Sequence, residues 1–505
     1  MRLATVTTRA QQGMRAPLVS VEVAVAGGLS VLTIVGLVET AVRESRERVS
    51  AAIRASGFEF PAGRVTVNLA PADLPKAGGR FDLAIALGIL AATGQLPAAA
   101  LGRHEFFGEL AFSGQLRPVP GLLPAVLAAK QAGHRCILPQ ACEREAGLLL
   151  DAEVGLAQDL LGVVRDLRGE TRLAVPDPSV IEVPIDCGPD LADVYGQHRA
   201  RRALEIAAAG GHNLLLVGPP GTGKSMLAQR LPGLLPALEP AAAVELAVIR
   251  SLAGRRLKGL TRRPPFRAPH HTASAAALVG GGRIPRPGEI SLAHGGVLFL
   301  DELPHFARPA LEALREPLER GYITVARAGE SMEFPACFQL VAAMNPCPCG
   351  FAGDQHRVCR CGPDRVSRYQ GRISGPFLDR IDLSLSLQRE PLPDSYLEQA
   401  RGGESSAAVG RRVAAARARQ RERSDCLNAR LRGDLLRRYC RPDKPGRQLL
   451  ARAVERLSLS ARACDSALRV ARTIADIDAE ANVREVQISE ALSLRASHAG
   501  AVAAV

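Results

Sequence analysis

The sequence predicts an α/β protein: two α/β units followed by a C-terminal helical region. Three observations predict it. An apolar strand, His212–Val217, runs into the glycine-rich turn Gly218-Pro-Pro-Gly-Thr-Gly-Lys224-Ser225 and on into the helical stretch Met226–Leu231. Short apolar strands alternate with helical stretches through residues 1–170 and again to about residue 390. Beyond that point the composition shifts to Ala, Arg and Glu, which favour helix.

Each element can be justified in turn. In residues 1–170, Val19–Val25 and Leu32–Ile34 read as strands and Glu39–Ala55 as a helix. A strand at Val65–Leu69, the turn-rich run PADLPKAGG and an apolar helix over Phe81–Ala92 follow. Residues 171–190 hold four prolines and no helical period, so they read as a linker. Residues 191–390 form the second α/β unit. In residues 391–505, Leu397–Arg438 reads as largely helical, Pro442 and Pro445 interrupt it, and helical patterning returns from Leu449 and from Val483.

A chain of 505 residues has room for two to four domains of roughly 100–200 residues. With no Trp and 4% aromatics, its cores must be built from Ala, Leu, Val and Ile. The net charge of +13 suits a polyanionic partner such as nucleic acid, or equally an Arg-rich solvated surface. Between Arg401 and Arg447, fourteen Lys/Arg stand against five Asp/Glu, which concentrates most of that excess in the basic segment 401–447. The N-terminus has no apolar core of signal-peptide length, and no apolar run approaches the ~18 residues of a membrane span. A cytoplasmic protein with no membrane association is therefore expected, its eleven cysteines reduced thiols or metal ligands.

The glycine turn carries the first chemistry. Gly218, Pro219, Pro220, Gly221, Thr222, Gly223, Lys224, Ser225 and Met226 match a phosphate-binding loop, placed between a strand and a helix as that loop requires. Backbone N–H groups would wrap the phosphates of ATP, Lys224 would reach the β- and γ-phosphates, and Ser225 would hold Mg²⁺. The strand Gly296-Val-Leu-Phe-Leu ends in Asp301 and Glu302, the first a second Mg²⁺ ligand and the second the group that polarises the attacking water. A third strand, Phe338–Met344, ends in Asn345, which would orient that water or sense the γ-phosphate. Arg380, in SGPFLDRID, is a candidate arginine finger acting on a neighbour's γ-phosphate, or else a structural partner of Asp379 or Asp382. Arg462, at the start of the helix Ala463–Asp476, is a candidate phosphate contact from the helical region. Arg469 and Arg472, on the same helix, are weaker candidates.

This order of motifs resembles the magnesium-chelatase-like AAA+ ATPases, specifically the ComM (YifB) subfamily. The resemblance covers the whole chain and rests on TIVGLVETAVRESRERV (33–49), NLAPADLPKAGGRFDLAIALGIL (68–90), GQHRARRALEIAAAGGHNLLLVGPPGTGKS (196–225), FRAPHHTAS (266–274), GGVLFLDEL (295–303), AAMNPCPCG (342–350) and SARACDSALRVARTIAD (460–476). It implies an AAA+ core at 191–390 with a helical lid at 391–505. It implies a homo-hexameric ring that binds single-stranded or branched DNA, with weak sequence preference, and drives branch migration in natural transformation. It puts Tyr195, Gly196 and Gln197 at the adenine pocket and matches Arg380 to the finger and Arg462 to the lid arginine. Two channel-facing segments would fall at about 267–289 and 322–333, with Arg283, Arg286 and Arg327 as their basic residues. Residues 1–170 are similar to the Lon-protease fold, but Arg80 stands where the nucleophilic Ser is expected, Leu123 where the Lys is expected, and no Ser lies in 57–112. A Lon-like domain without peptidase chemistry is therefore expected. The competing function is a metal-chelatase-type motor subunit acting on a protein partner.

Four cysteines, Cys347, Cys349, Cys359 and Cys361, lie within fifteen residues. They suggest one structural Zn²⁺, with free thiols or a redox switch as the other readings and His356 as a substitute ligand. His270 and His271 lack a partner at metal-binding spacing and read as channel or interface residues.

Overall fold

Strands of two to nine residues build two main sheets, one in each of two compact units. The computed structural model describes residues 2–36, 42, 44–76, 78–149, 151–177, 188–255, 257, 259–282, 285–327, 330–389 and 403–495, with only the backbone of 327 and 330. The first unit spans 1–184 with 240–261, and the second 185–239 with 262–505.

In the first unit the strands β1 (Arg2–Arg9), β2 (Leu18–Ala26), β3 (Val31–Val35), β4 (Arg64–Ala70), β5 (His104–Phe106), β6 (Arg135–Pro139) and β7 (Val154–Ala157) form one sheet in the order β3-β4-β2-β1-β5-β6-β7. The helix Asp82–Ala92 crosses it, buried along almost its whole length. β1 was not expected from sequence. Its buried residues include the polar Thr8 and Arg9, each satisfied by a partner: Thr8 donates to the Phe106 carbonyl at 2.7 Å, and Arg9 pairs with buried Glu105 at 2.7 Å. The expected helix Glu39–Ala55 is observed as Ser45–Ala55, with 37–41 and 43 outside the described residues. Arg80 and Leu123 are both buried, and Arg80 donates to the Pro120 carbonyl.

The helix Pro240–Leu252 interrupts the expected range of the second unit yet packs with the first. It buries Leu246, Ile249 and Leu252, and it lies against the helix Leu122–Gln131. Its apolar stripe was visible in sequence, but a stripe does not say which core it enters.

In the second unit β8 (Leu214–Val217), β9 (Phe266–Arg267), β10 (Val297–Leu300), β11 (Gln339–Met344) and β12 (Leu383–Ser386) form a five-stranded parallel sheet. Taken in chain order the strands lie 5-1-4-3-2 across it. The runs LLLV, VLFL and QLVAAM are buried throughout, as parallel strands covered on both faces must be. Between β10 and β11 a hairpin pairs Tyr322–Arg327 with Glu330–Pro335.

The C-terminal region is helical: Ser406–Ser424, Gly433–Tyr439, Lys444–Leu457, Ala461–Ile477 and Glu485–Ser493. Within the stretch expected to be largely helical, the first helix stops at Asp425, whose φ of +51° ends it. Residues 391–402 lie outside the described residues. Val409, Val413, Val470 and Ile474 share one core cluster with Leu204, Leu214 and Leu216. Each such fully buried side chain contributes about 1.5–3 kcal/mol.

Candidate functional site

Three parallel strands deliver their C-terminal ends to one place. β8 leads into the phosphate loop, β10 into Asp301–Glu302, and β11 into Asn345. Gly221 and Gly223 take φ of +80° and +84°, a conformation open to glycine and strained for other residues. A Cβ at Gly218 would fall 2.7 Å from the Leu387 carbonyl, so that glycine lets the loop lie against the end of β12. Thr222 Oγ1 closes the turn on the Pro219 carbonyl at 2.9 Å.

The polar groups of this site pair with one another. Lys224 Nζ donates to the carbonyls of Gly218 (2.7 Å) and Pro219 (2.9 Å) and to Asn345 Oδ1 (3.1 Å). Burial lowers the pKa of Lys224, with nearby Asp301 opposing the shift. Ser225 Oγ donates to Asp301 Oδ2 at 2.6 Å, so the two expected Mg²⁺ ligands stand together. This donor set, a hydroxyl and a carboxylate beside a glycine-rich loop that opens a helix, fits Mg²⁺–ATP. Glu302 has φ +53°, its N–H donates to Asp301 Oδ1, and its carboxylate Oε2 lies 3.4 Å from Nδ1 of His271.

Tyr195, Gly196 and Gln197 reach the same end of the sheet. Gln197 Nε2 donates to the Gln388 carbonyl (3.0 Å), just beyond β12, while Leu387 N donates to Val217 at 2.7 Å. Met226, one turn into the helix Lys224–Arg230, packs against the core.

The cysteine loop is the neighbour of the phosphate loop. A Cβ at Gly350 would come within 2.6 Å of Pro220 Cδ, and Arg389 donates to the Pro220 carbonyl at 3.2 Å while its Nε lies 3.7 Å from Asp354. Cys347 Sγ lies 3.3 Å from Cys349 and 3.6 Å from Cys359, Cys349 lies 3.6 Å from Cys359, and all four sulfurs including Cys361 fall within 4.8 Å of one another. A ZnS₄ tetrahedron with bonds of ~2.3 Å has edges of about 3.8 Å, so the cluster fits zinc. His356 is not part of it. The Cys349 thiol is pulled down to about 6: burial opposes this, and N–H groups of Arg360 and Phe351 outweigh it.

Arg380 and Arg462 come together, but away from the phosphate loop. The Arg380 carbonyl accepts from Asn213, at the start of β8, which puts it about 13 Å from the loop along a four-residue strand. Its guanidinium donates to Glu319 Oε1, not to Asp379 or Asp382, and Arg462 donates to the same oxygen. Glu319 was not singled out from sequence. Arg469 lies 3.7 Å from Asp382, and Arg472 is buried on Asp476.

Among the basic residues expected in the channel segments, Arg286 is exposed, whereas Arg283 and the side chain of Arg327 lie outside the described residues. The first segment is closed at its base by a two-pronged pair, Arg267 to Glu289 at 2.6 and 2.8 Å. The basic helix Ser406–Ser424 is less free than its composition suggests. Of its six arginines, Arg412 bonds Glu205, Arg417 the Ala208 carbonyl, Arg419 the Asp476 carbonyl, Arg421 Glu239 and Arg423 Asp476. No helix among the described residues is long and apolar enough to cross a membrane.

Three family descriptions match this chain: magnesium chelatase, subunit ChlI, over residues 190–394; subunit ChlI of Mg-chelatase over 21–142; and the subunit ChlI C-terminal region over 403–495. The chain is 48% identical to the competence protein ComM of Haemophilus influenzae over 502 residues, 98% of each chain. It is 49% identical to YifB of Salmonella typhimurium and to YifB of Escherichia coli, over 98% of this chain and 97% of each relative.

Proposed function

The chain belongs to the magnesium-chelatase-like proteins of the ComM and YifB type, and from that premise we propose that it is an ATP-driven ring motor that binds DNA and drives branch migration. The observation that carries the ATPase half is the meeting of Lys224, Ser225, Asp301, Glu302 and Asn345 at one end of a parallel sheet. The loop amides and Lys224 bind the triphosphate, and Ser225 and Asp301 hold Mg²⁺, which offsets phosphate charge when bound. Glu302 takes the proton of the attacking water, and Asn345 holds that water in line. Arg380 and Arg462 stand at the opposite end of β8 from their own loop, so the nucleotide they serve belongs to a neighbouring protomer, as in a hexameric ring. Tyr195, Gly196 and Gln197 border the adenine.

DNA as the driven substrate is supported by the net charge of +13, by exposed Arg286 on a segment of the insertion, and by the competence role carried in the name of the Haemophilus relative. Few aromatics are available for stacking, so recognition through phosphates with weak sequence preference is expected. A cytoplasmic location and a structural zinc in the cysteine loop complete this reading.

A second reading, a chelatase-type motor acting on a protein partner, is favoured by one observation: five arginines of the basic helix are engaged within the chain and not offered to a ligand. ATP turnover measured without DNA and with single-stranded, duplex and four-way-junction DNA separates the two. Stimulation by DNA that weakens steeply with salt supports the DNA motor, and a rate indifferent to all three supports the chelatase-type motor.

A further inference from the structure

Three arginines of the first unit that are buried or half-buried each face a carboxylate. Arg9 pairs with Glu105 at 2.7 Å, Arg48 with Asp82 at 2.7 Å and Arg135 with Asp166 at 2.8 Å. Arg80 is more deeply buried than any of them, at 4% exposure, and has no carboxylate partner among the described residues. The acids close to it in the fold serve other arginines: Asp82 holds Arg48, and Glu109, packed on Gly79, lies 3.7 Å from Arg117. Nη2 of Arg80 donates to the Pro120 carbonyl and, at 3.5 Å, to Gln11 Oε1, while Nη1 is buried without a hydrogen-bond partner. Burial lowers its pKa to about 10, so the group still carries its proton at neutral pH. A charge taken out of water is costly unless an opposite charge meets it.

The Pro120 carbonyl leads into the helix Leu122–Gln131, which no side chain caps. Its N-cap is Gly121, at φ +68°. The first N–H groups of a helix, here those of Leu122 and Leu123, find no acceptor within it, and Pro124 brings none. Gln11, half-exposed in the turn between β1 and β2, lies against this end: a Cβ at Gly121 would fall 2.6 Å from Gln11 Cδ. An unpaired guanidinium and an uncapped helix start therefore meet beside one displaceable carboxamide.

We propose that Arg80 and the first turn of the helix Leu122–Gln131 bind a small phosphate-type oxyanion, with Gln11 as the group that gives way to it. The anion replaces the Gln11 oxygen, whose contact with Arg80 is long, and accepts from both Nη atoms of Arg80 and from the N–H groups at the helix start. Its charge offsets the buried guanidinium and meets the positive end of the helix dipole together. The site lies wholly within the first unit and is independent of what the motor drives.

The test is amide hydrogen exchange of the full chain in phosphate, in acetate and in chloride at equal ionic strength. Local opening must first release the anion, so exchange slows by one plus the ratio of phosphate to its Kd. At ~20 mM phosphate and a Kd of about 5 mM, segments 9–16 and 118–126 should exchange about fivefold more slowly than in chloride. Segment 214–226 is covered by separate peptides, so phosphate taken up at the nucleotide site is read apart. Arg80→Met, which keeps the bulk and removes the charge, should abolish the slowing at 118–126 and leave 214–226 as in the wild type. Equal exchange of 118–126 in phosphate and chloride overturns the site, and so does slowing that survives Arg80→Met. Slowing by acetate and not by phosphate overturns the choice of anion. Should Arg80→Met fail to fold, Arg80→Gln, which keeps a donor for the Pro120 carbonyl, is held to the same outcome.

Discussion

Arg380 and Arg462 share one acceptor: both guanidinium groups donate to Oε1 of Glu319, at 2.5 and 2.8 Å. Burial lowers the Arg380 pKa, with Glu319 opposing the shift, and the Glu319 carboxyl is held below its ordinary range, first by its hydrogen bond from Arg462. Two cations on one carboxylate leave a net positive charge on this face. That is the electrostatic form expected of a surface that will meet a neighbour's triphosphate.

Completion in trans is therefore the first prediction. Arg380→Ala and Lys224→Ala should each lower ATP turnover by about 10³-fold or more. Mixing the two inactive proteins should recover turnover, because some interfaces then pair an intact phosphate loop with an intact arginine. No recovery in a mixture shown to co-assemble would mean that Arg380 serves its own nucleotide or none.

Glu302→Gln should slow turnover by about 10²–10⁴-fold, the span of a lost general base, while binding of an ATP analogue persists. Lys224→Ala should instead weaken that binding, because Lys224 Nζ lies on the carbonyls of the loop that the phosphates would occupy. Equal loss of binding in both variants would remove the distinction drawn between the two residues.

How much of this was legible in sequence follows the range of the interactions. The phosphate loop is local: glycine φ values, a lysine and a hydroxyl at fixed spacing, each readable over eight residues. Asp301, Glu302 and Asn345 were readable because each ends an apolar strand. Glu319 was not, because its two partners lie 61 and 143 residues away. His271 was noticed as a residue but not as the partner of Glu302, since a histidine has no periodic signature. The arginines of the basic helix were counted as free charge, and only the fold shows the carbonyls and carboxylates that hold them.

A buried carboxylate where the sheet meets the C-terminal helices sets a stability prediction. Asp382 accepts from Ser466 Oγ at 2.6 Å and lies 3.4 Å from His212 Nδ1 and 3.7 Å from Arg469. Burial alone would raise its pKa, but His212, Arg469 and Ser466 outweigh burial and hold it below the ordinary aspartate range. A depressed native pKa means that the stabilisation is complete above the unfolded value of about 3.9 and is lost as pH falls below it. Asp382→Asn should cost ~3–5 kcal/mol at neutral pH and flatten the fall in stability on the acid side. Thermal unfolding of both proteins between pH 7 and pH 3, as an order-of-magnitude window, checks this, and parallel curves would deny Asp382 the role.

The cysteine loop gives the last prediction. Cys347 follows Asn345 by two residues, and Gly350 lies against Pro220, so the geometry of the thiol cluster and that of the phosphate loop are set by one short stretch of chain. Protein purified through a chelator wash should retain about one zinc per chain, as a closed site of four thiolates does. Cys359→Ser with Cys361→Ser should release that zinc and weaken ATP-analogue binding, because Gly350 and Arg389 no longer hold Pro220 in place. Zinc at a trace level in the wild type would end the metal assignment. Zinc lost with analogue affinity unchanged would mean that the loop stands beside the nucleotide site without supporting it.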